Sequence, residues 1–243
     1  MIPDTARLIA AVEATWPPAE THTLGPVTIR AGEGGGQRVS ASTVDGTADE
    51  AELQKAEAAM RALGQTPLFM IRPGDEALDT ALADRGYRIK DPVSIRLCPI
   101  ETLTDRALPR VTAFAIWEPL AIMREIWAAG GIGPERVAVM ERVTGPKTGL
   151  LGRIKDRPGG AGFAAIDGEI AFVHALEIAA AARRHGLGGW MMRCAALWAA
   201  PLGARRIAAL VTEANAPANA LYDTLGMEIA GRYHYRVKPE DQT

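Results

Sequence analysis

Helical and extended patterns of apolar residues alternate along the whole 243-residue chain. This alternation predicts a mixed α/β protein, because each pattern matches the repeat of one type of element. The predicted helices cover 4–16, 49–63, 74–85, 120–129, 134–142, 187–198 and 217–225. The predicted strands cover 25–30, 37–43, 67–72, 87–97, 148–155, 162–165, 169–178 and 206–211, followed by a strand pair that ends near Val237.

Composition and charge narrow the possible functions. With 48% hydrophobic and 23% charged residues, the chain has enough apolar content for an ordinary buried core. The net charge of −2 and the pI near 6.1 provide no basic surface for nucleic acid or an anionic membrane. We therefore expect neither nucleic acid nor a membrane as a partner.

The cysteines and histidines do not predict a disulfide or a metal site. Cys98 and Cys194 are far apart in sequence, and the four histidines lack the spacing of paired metal ligands. The N-terminus has no basic and apolar leader, and no later run approaches the roughly 20 apolar residues of a membrane span. These observations favour a cytoplasmic protein without a metal.

The segment Arg183–Gly189 reads Arg-Arg-His-Gly-Leu-Gly-Gly and joins the predicted strand 169–178 to an apolar helix. The first N–H groups of a helix have no partner within it and lie at the positive end of its dipole. Together with the two arginines, they are suited to bind a phosphate or pyrophosphate. The alternative is an ordinary strand–turn–helix junction that binds nothing.

The two halves of the chain resemble each other at an offset of 140 residues. Gly86 then aligns with Gly226, and Gly46 aligns with Gly186. The segment equivalent to the arginine–glycine turn is Thr43–Ala48, which carries an aspartate in place of the basic residues. A carboxylate there would repel an anion, so the pattern predicts a duplicated chain in which only the second half keeps the anion site.

A second motif follows the glycine turn at a fixed distance. It reads Asn-Ala-Pro-Ala-Asn-Ala-Leu-Tyr-Asp-Thr-Leu-Gly from Asn215 to Gly226. With both motifs in this order, residues 112–243 resemble the GNAT superfamily of acyl-CoA-dependent N-acyltransferases. The resemblance implies two GNAT-like domains, each a mixed, mostly antiparallel twisted sheet flanked by helices. The first, 1–105, would be degenerate, and the second, 112–243, would be catalytic.

The resemblance also implies a reaction. The protein would be an N-acetyltransferase that uses acetyl-CoA as co-substrate and moves the acetyl group to a primary amine by direct nucleophilic attack. The acceptor would be a small-molecule or peptide amine, and the protein would be a monomer or a homodimer. The alternative is a non-catalytic protein that binds or senses acyl-CoA.

By analogy with the family, several residues would contact the cofactor. Tyr222 would also be the general acid, although it could instead belong to an apolar core stripe. Asn215 would contact the cofactor, cap the following helix, or do both. The full cofactor set is Leu176 and Ile178 through their backbone, Arg183, Arg184, His185, Gly186, Leu187, Gly188, Gly189, Trp190, Asn215 and Tyr222.

The general base is the less specific part of the prediction. Glu177 is the first candidate, followed by Glu213 and His174, and a chain of water molecules is the alternative. In this family the acceptor pocket is usually built from the first two helices and the last strands. Its candidates here are Trp117, Glu118, Trp127 and the Tyr233–Arg236 cluster, although tryptophans on an amphipathic helix more often belong to the core. The tract Gly32–Gly36 is predicted to be a hairpin turn and not a phosphate loop.

Overall fold

A computed structural model of the chain describes residues 3–239. The helices are α1 (Thr5–Thr15), α2 (Gln37–Ser40), α3 (Glu50–Ala62), α4 (Glu76–Asp84), α5 (Glu101–Thr104), α6 (Ala121–Ala129), α7 (Pro134–Arg142), α8 (Leu187–Ala199) and α9 (Ala216–Thr224). The strands are β1 (Glu20–Leu24), β2 (Val27–Ala31), β3 (Thr43–Val44), β4 (Leu68–Ile71), β5 (Arg88–Pro99), β6 (Ala113–Ile116), β7 (Lys147–Ile154), β8 (Arg157–Asp167), β9 (Ile170–Ile178), β10 (Arg206–Thr212) and β11 (Glu228–Val237).

The predicted mixed α/β class is confirmed, and three local predictions were wrong. Residues 37–43 were predicted to be a strand, but α2 occupies most of this segment because the chain turns at Gly36. The Ser40 hydroxyl then donates to the Gly36 carbonyl one helical turn earlier. The Gly32–Gly36 tract therefore precedes a short helix and is not a hairpin turn. The last segment is one strand, β11, and not a strand pair.

The described residues form two compact units. The larger unit contains the chain up to Pro17, Ile95–Val211 and Asn215–Ala230. The smaller unit contains Pro18–Ser94, Thr212–Ala214 and the chain from Gly231 onward. The predicted halves 1–105 and 112–243 concern the duplication of an ancestral domain, whereas each compact unit combines segments from both halves. The division into halves therefore stays a prediction. Among residues 3–239, no helix combines the length and apolar content needed to cross a membrane.

The larger unit is built on a mostly antiparallel sheet. Strands β6, β7, β8 and β9 pair antiparallel in chain order, and β10 pairs parallel with β9. Side chains alternate along a strand, so Gly149 and Gly152 of β7 face opposite sides. A side chain at Gly149 would meet Met123 of α6, whereas one at Gly152 would meet Met191 of α8. Helices α6 and α8 therefore cover opposite faces of this sheet.

The two faces are packed with different side chains. On the α8 face, small and apolar residues of the helix are buried against the sheet, among them Met191, Cys194 and Ala195. On the α6 face, Trp16 at the end of α1 packs edge-on against Phe163, with ring centroids 6.1 Å apart. Both faces are thus apolar, as the predicted helical stripes require.

The smaller unit contains the sheet β1-β2-β3 and the antiparallel pair β4–β11. Helix α3 packs on this sheet, and its N-terminus is closed by its own side chains. The Asp49 carboxylate accepts from the Glu52 N–H, and the Glu52 carboxylate accepts from the Asp49 N–H. This capping box occupies helix N–H groups with carboxylates, which disfavours an anion at α3.

A buried carboxylate organises the smaller unit. Glu57 of α3 accepts hydrogen bonds from Arg85 (2.6 Å), Tyr87 (3.0 Å) and Lys238 (2.9 Å). Burial opposes ionisation of Glu57, but these donors outweigh it and lower the pKa of the carboxyl to about 2. The folded state therefore binds this proton more weakly than the unfolded chain does.

We expect the Glu57 network to make the smaller unit sensitive to acid. Because the pKa of Glu57 falls from 4.5 to about 2 on folding, its contribution is present above pH 4.5 and lost as the pH falls toward 2. Chemical denaturation between pH 5 and pH 2 should show the free energy of unfolding falling by about 3 kcal/mol more in the wild type than in Glu57→Gln. An equal loss in both proteins would contradict this account.

Candidate active site

The glycine-rich turn between β9 and α8 uses backbone conformations in the left-handed region. Gly186, which directly precedes α8, has a φ of 76°, and Arg184 has a φ of 65°. The Trp190 N–H donates to the Gly186 carbonyl at 3.2 Å, so the helical ladder starts at Trp190. The N–H groups of Leu187–Gly189 precede that ladder and lie at the positive end of the helix dipole. Trp190 also belongs to the predicted cofactor set, but its amide N–H is used inside the helix.

The glycines at the start of α8 also allow α9 to approach. A Cβ at Gly188 would lie 3.0 Å from Leu221 Cδ2 and 3.9 Å from Ile178 Cγ1. A Cβ at Gly189 would lie 3.8 Å from Leu225 Cδ2. The end of β9, the start of α8 and helix α9 therefore meet at one place, and these are the segments that carry the two sequence motifs.

Strand β9 bulges directly before Leu176 and Ile178, which were predicted to contact the cofactor through their backbone. Its register with β8 shifts between Ala161 and Phe163, and Ala175 has a φ of 49°. An extra residue of this kind leaves a peptide group outside the ladder. The fully buried Trp127 satisfies it, because its indole N–H donates to the Ala175 carbonyl at 2.8 Å. Trp127, a candidate for the acceptor pocket, is therefore a core residue that supports the bulge.

The backbone of Leu176 and Ile178 points away from β8. The Ala179 N–H donates to the Gly159 carbonyl of β8 at 2.9 Å, and backbone groups alternate in direction along a strand. On the other side of β9, the register with β10 runs from Ile170 to Val173 within the described residues. Leu176 and Ile178 lie beyond it, on a strand edge where an extended ligand can form backbone hydrogen bonds.

Arg183 connects this strand edge with the candidate base. Its Nε donates to the Ile178 carbonyl at 2.9 Å, and a terminal nitrogen lies 3.2 Å from Glu177 Oε1. Arg184 is exposed, and the His185 ring Nδ1 lies 2.7 Å from the Arg183 carbonyl oxygen. The basic residues thus surround the turn, but the Arg183 guanidinium already has two partners.

Glu177 lies on the sheet face opposite α8. It pairs in register with Ala161, and its side chain packs on Gly130 at the end of α6, where a Cβ would come within 2.6 Å of Glu177 Cγ. The Glu177 side chain is 20% exposed, so solvent or a ligand can reach it. Position 130 therefore needs glycine to leave room for the Glu177 side chain. The sequence shows a Gly-Gly pair at the end of the predicted helix but does not indicate this contact.

Tyr222 projects from α9 into the larger unit and is only 5% exposed. Burial raises the pKa of its phenol to about 12, and the positive charge of Arg96 partly opposes this shift. The phenol is therefore protonated at neutral pH. No hydrogen bond to its hydroxyl occurs within residues 3–239, which leaves this group able to donate to a ligand.

Asn215 has the capping role that the sequence left open. It is the N-cap residue of α9, and its side chain accepts from the Ala218 N–H at 3.2 Å. The cap fixes the start of the helix that carries Tyr222. A direct contact between Asn215 and the cofactor stays a prediction.

The other two candidates for the general base have structural contacts of their own. His174 is 3% exposed, lies 2.9 Å from the Thr15 hydroxyl and stacks among aromatic rings, so it is a core residue. Glu213 belongs to the smaller unit and pairs with Arg232.

The tyrosines and the arginine of the Tyr233–Arg236 cluster are buried in the smaller unit, where the Arg236 guanidinium binds Asp79. Trp117 is partly exposed, with the Lys147 ammonium 4.7 Å from its ring centre. No group of three or more potential metal ligands occurs in the part of the chain that the structure describes.

A bulged strand, a glycine turn at a helix N-terminus and a following helix with a buried tyrosine thus lie next to one another in the larger unit. Residues 144–227 match the model of the acetyltransferase (GNAT) family. This stretch is therefore a GNAT acetyltransferase domain, and the family and fold together indicate acyl transfer.

Solved structures support the same fold over most of the chain. A GCN5-related N-acetyltransferase from Kribbella flavida is 19% identical, with a TM-score of 0.69 over 98% of this chain and 97% of that chain. A functionally unknown conserved protein from Staphylococcus epidermidis is 10% identical, with a TM-score of 0.66 over 92% and 94%. A tandem GNAT protein from the clavulanic acid biosynthesis pathway is 16% identical, with a TM-score of 0.58 over 83% and 76%. No curated protein sequence matches significantly.

Proposed function

We propose that this protein is an N-acetyltransferase that uses acetyl-CoA and acetylates a primary amine. The observation that carries the proposal is the meeting of three segments in the larger unit, seen in the short distances from Gly188 to Leu221 and Ile178. They are the start of α8 with its first N–H groups, the end of β9 with the outward-facing backbone of Leu176 and Ile178, and α9 with the protonated phenol of Tyr222. An anion site, a peptide-like edge and a proton donor are what a CoA thioester requires.

The residues at the turn fit the phosphate end of this co-substrate. Gly186 has no atom within 4 Å of the position of a Cβ, so phosphate oxygens can approach the backbone there. The N–H groups of Leu187–Gly189 would bind the pyrophosphate, with Arg184 and His185 beside them. The pyrophosphate would also compete with Glu177 for Arg183, which would free the carboxylate.

When bound, acetyl-CoA supplies an acetyl thioester. Glu177 would take a proton from the incoming amine, whose nitrogen forms a bond to the acetyl carbon as the carbon–sulfur bond breaks. A backbone N–H near Leu176–Ile178 would stabilise the negative charge on the carbonyl oxygen. Tyr222 would give its proton to the departing sulfur.

The pKa of Tyr222 is compatible with this role. A free thiol has a pKa of about 8.5, far below that of the buried phenol. Burial acts on thiols in the same direction and raises the pKa of both Cys98 and Cys194 to about 11. A thiolate that departs into apolar surroundings would likewise be a stronger base than in water, which favours its protonation by Tyr222.

We further propose one CoA site per chain. The helix equivalent to α8 in the first half is α3, and its capping box places the carboxylates of Asp49 and Glu52 at its N-terminus. An anion would have to displace these groups against their charge. This supports the division into a degenerate half, 1–105, and a catalytic half, 112–243.

A thiol-release assay tests the proposed reaction. Full-length protein is incubated with acetyl-CoA and a panel of small-molecule and peptide amines, and free CoA is measured. We expect amine-dependent release with at least one amine class. Binding of CoA without release for any amine would favour the sensing function instead, and absence of binding would contradict both.

A further inference from the structure

One buried cation from an early strand holds the helix that carries Tyr222. Arg96 of β5 is 8% exposed, and its guanidinium reaches α9 within the larger unit. It lies 2.6 Å from Asp223 Oδ1 and 2.9 Å from Asn219 Oδ1. It also donates to the Met227 carbonyl, at 3.3 Å, just after the helix ends. These three contacts span more than one turn around Tyr222.

The guanidinium of Arg96 has no other described partner. Its Nε is buried and lacks a hydrogen-bond partner among residues 3–239. A buried charge with an unsatisfied donor is costly, and a neutral apolar side chain would avoid this cost. The rigid fork of an arginine is nevertheless suited to fix two side chains of one helix in a single orientation.

We propose that Arg96 is a positioning residue for acyl transfer, which orients α9 so that the Tyr222 hydroxyl faces the departing sulfur. The inference rests on the proposed role of Tyr222. The positive charge of Arg96 opposes the effect of burial on the pKa of Tyr222, which indicates that the guanidinium and the phenol are close. Since Arg96 precedes residue 105, the half predicted to be degenerate supplies a residue that supports the site.

Two measurements on the full chain test this inference. The first is the NMR signal of Tyr222 in protein labelled at tyrosine Cζ. The chain contains four tyrosines, and the signal of Tyr222 is the one that disappears in Tyr222→Phe. We expect one sharp signal in the wild type, which shifts or broadens in Arg96→Met and is restored only in part in Arg96→Lys, because lysine keeps the charge but lacks the fork. This measurement needs no acceptor. An unchanged signal in Arg96→Met would overturn the inference.

The second measurement is a double-mutant cycle in the thiol-release assay with the most active amine. We expect Arg96→Met to lower kcat about 10- to 100-fold, with the KM for acetyl-CoA changed less than about threefold. In the Tyr222→Phe background the same substitution should change kcat less than about threefold. An equal loss in both backgrounds would overturn the positioning role alone. A fully active Tyr222→Phe would overturn the proposed acid as well.

Arg193→Met is the matched control for the loss of a buried arginine. Arg193 of α8 binds Asp105 and has a 12% exposed side chain, but makes no described contact with α9. We expect it to lower the melting temperature without changing kcat or the Tyr222 signal. If Arg96→Met does not fold, Asp223→Ala provides the second variant. It removes the carboxylate that Arg96 binds, and that side chain is 64% exposed, so its loss should leave the fold intact. It should broaden the same signal, and an unchanged signal would count against the inference.

Discussion

Replacing Tyr222 by phenylalanine should lower kcat for amine-dependent thiol release by about 100-fold or more. The substitution removes one oxygen atom from a site where burial raises the pKa of the phenol to about 12. Without that proton donor, the thiolate must leave unprotonated from a poorly solvated place. The binding of acetyl-CoA should change little, because in the proposed complex the turn and the strand edge would supply most of its contacts.

Calorimetry with CoA measures the effect of the substitution on binding, and steady-state kinetics measure its effect on kcat. Tyr235→Phe is the matched control, since Tyr235 is also buried but belongs to the smaller unit. It should leave kcat unchanged. A Tyr222→Phe protein with the wild-type kcat would show that the tyrosine is only a core residue.

Replacing His185 by aspartate should weaken CoA binding about 10- to 100-fold. At the offset of 140 residues His185 aligns with Asp45, so the variant copies the residue of the first half into the turn. A carboxylate about 6 Å from a doubly charged pyrophosphate costs about 1.4–2.8 kcal/mol at an effective dielectric constant of about 40–80. The same carboxylate lies at the positive end of α8, so the stability of the protein should be unchanged or slightly higher.

His185→Asn is the control, because an asparagine amide can still donate to the Arg183 carbonyl as the ring does when Nδ1 is protonated. Its affinity for CoA should stay within about threefold of the wild type. Calorimetric titrations of the two variants at low and high salt give the comparison. If aspartate and asparagine have the same effect, the turn does not bind an anion.

Local signals allowed the glycine turn before α8 and the start of α3 to be predicted from the sequence. Glycine at 186 is needed for a positive φ, and its position between a strand and an apolar helix is visible in the sequence. The capping box of α3 also has a local signature, with Asp49 three residues before Glu52. Both features depend on residues close together in the chain, which is why the local pattern was sufficient to predict them.

Features that depend on distant contacts were missed or misassigned. Trp127 supports the carbonyl of Ala175, 48 residues away, and Arg96 binds Asp223, 127 residues away. Nothing near either residue indicates its partner. Strand β1 was also missed, because all five of its residues are exposed and show no alternation. The roles of Trp127 and Arg96 therefore depend on packing and long-range hydrogen bonds, which the local sequence pattern does not show.

A calorimetric titration of CoA into the full-length wild-type protein tests the central claim most directly. The account predicts saturable binding of one CoA per chain at the start of α8. Absence of binding, or a second equivalent bound by the first half, would contradict it.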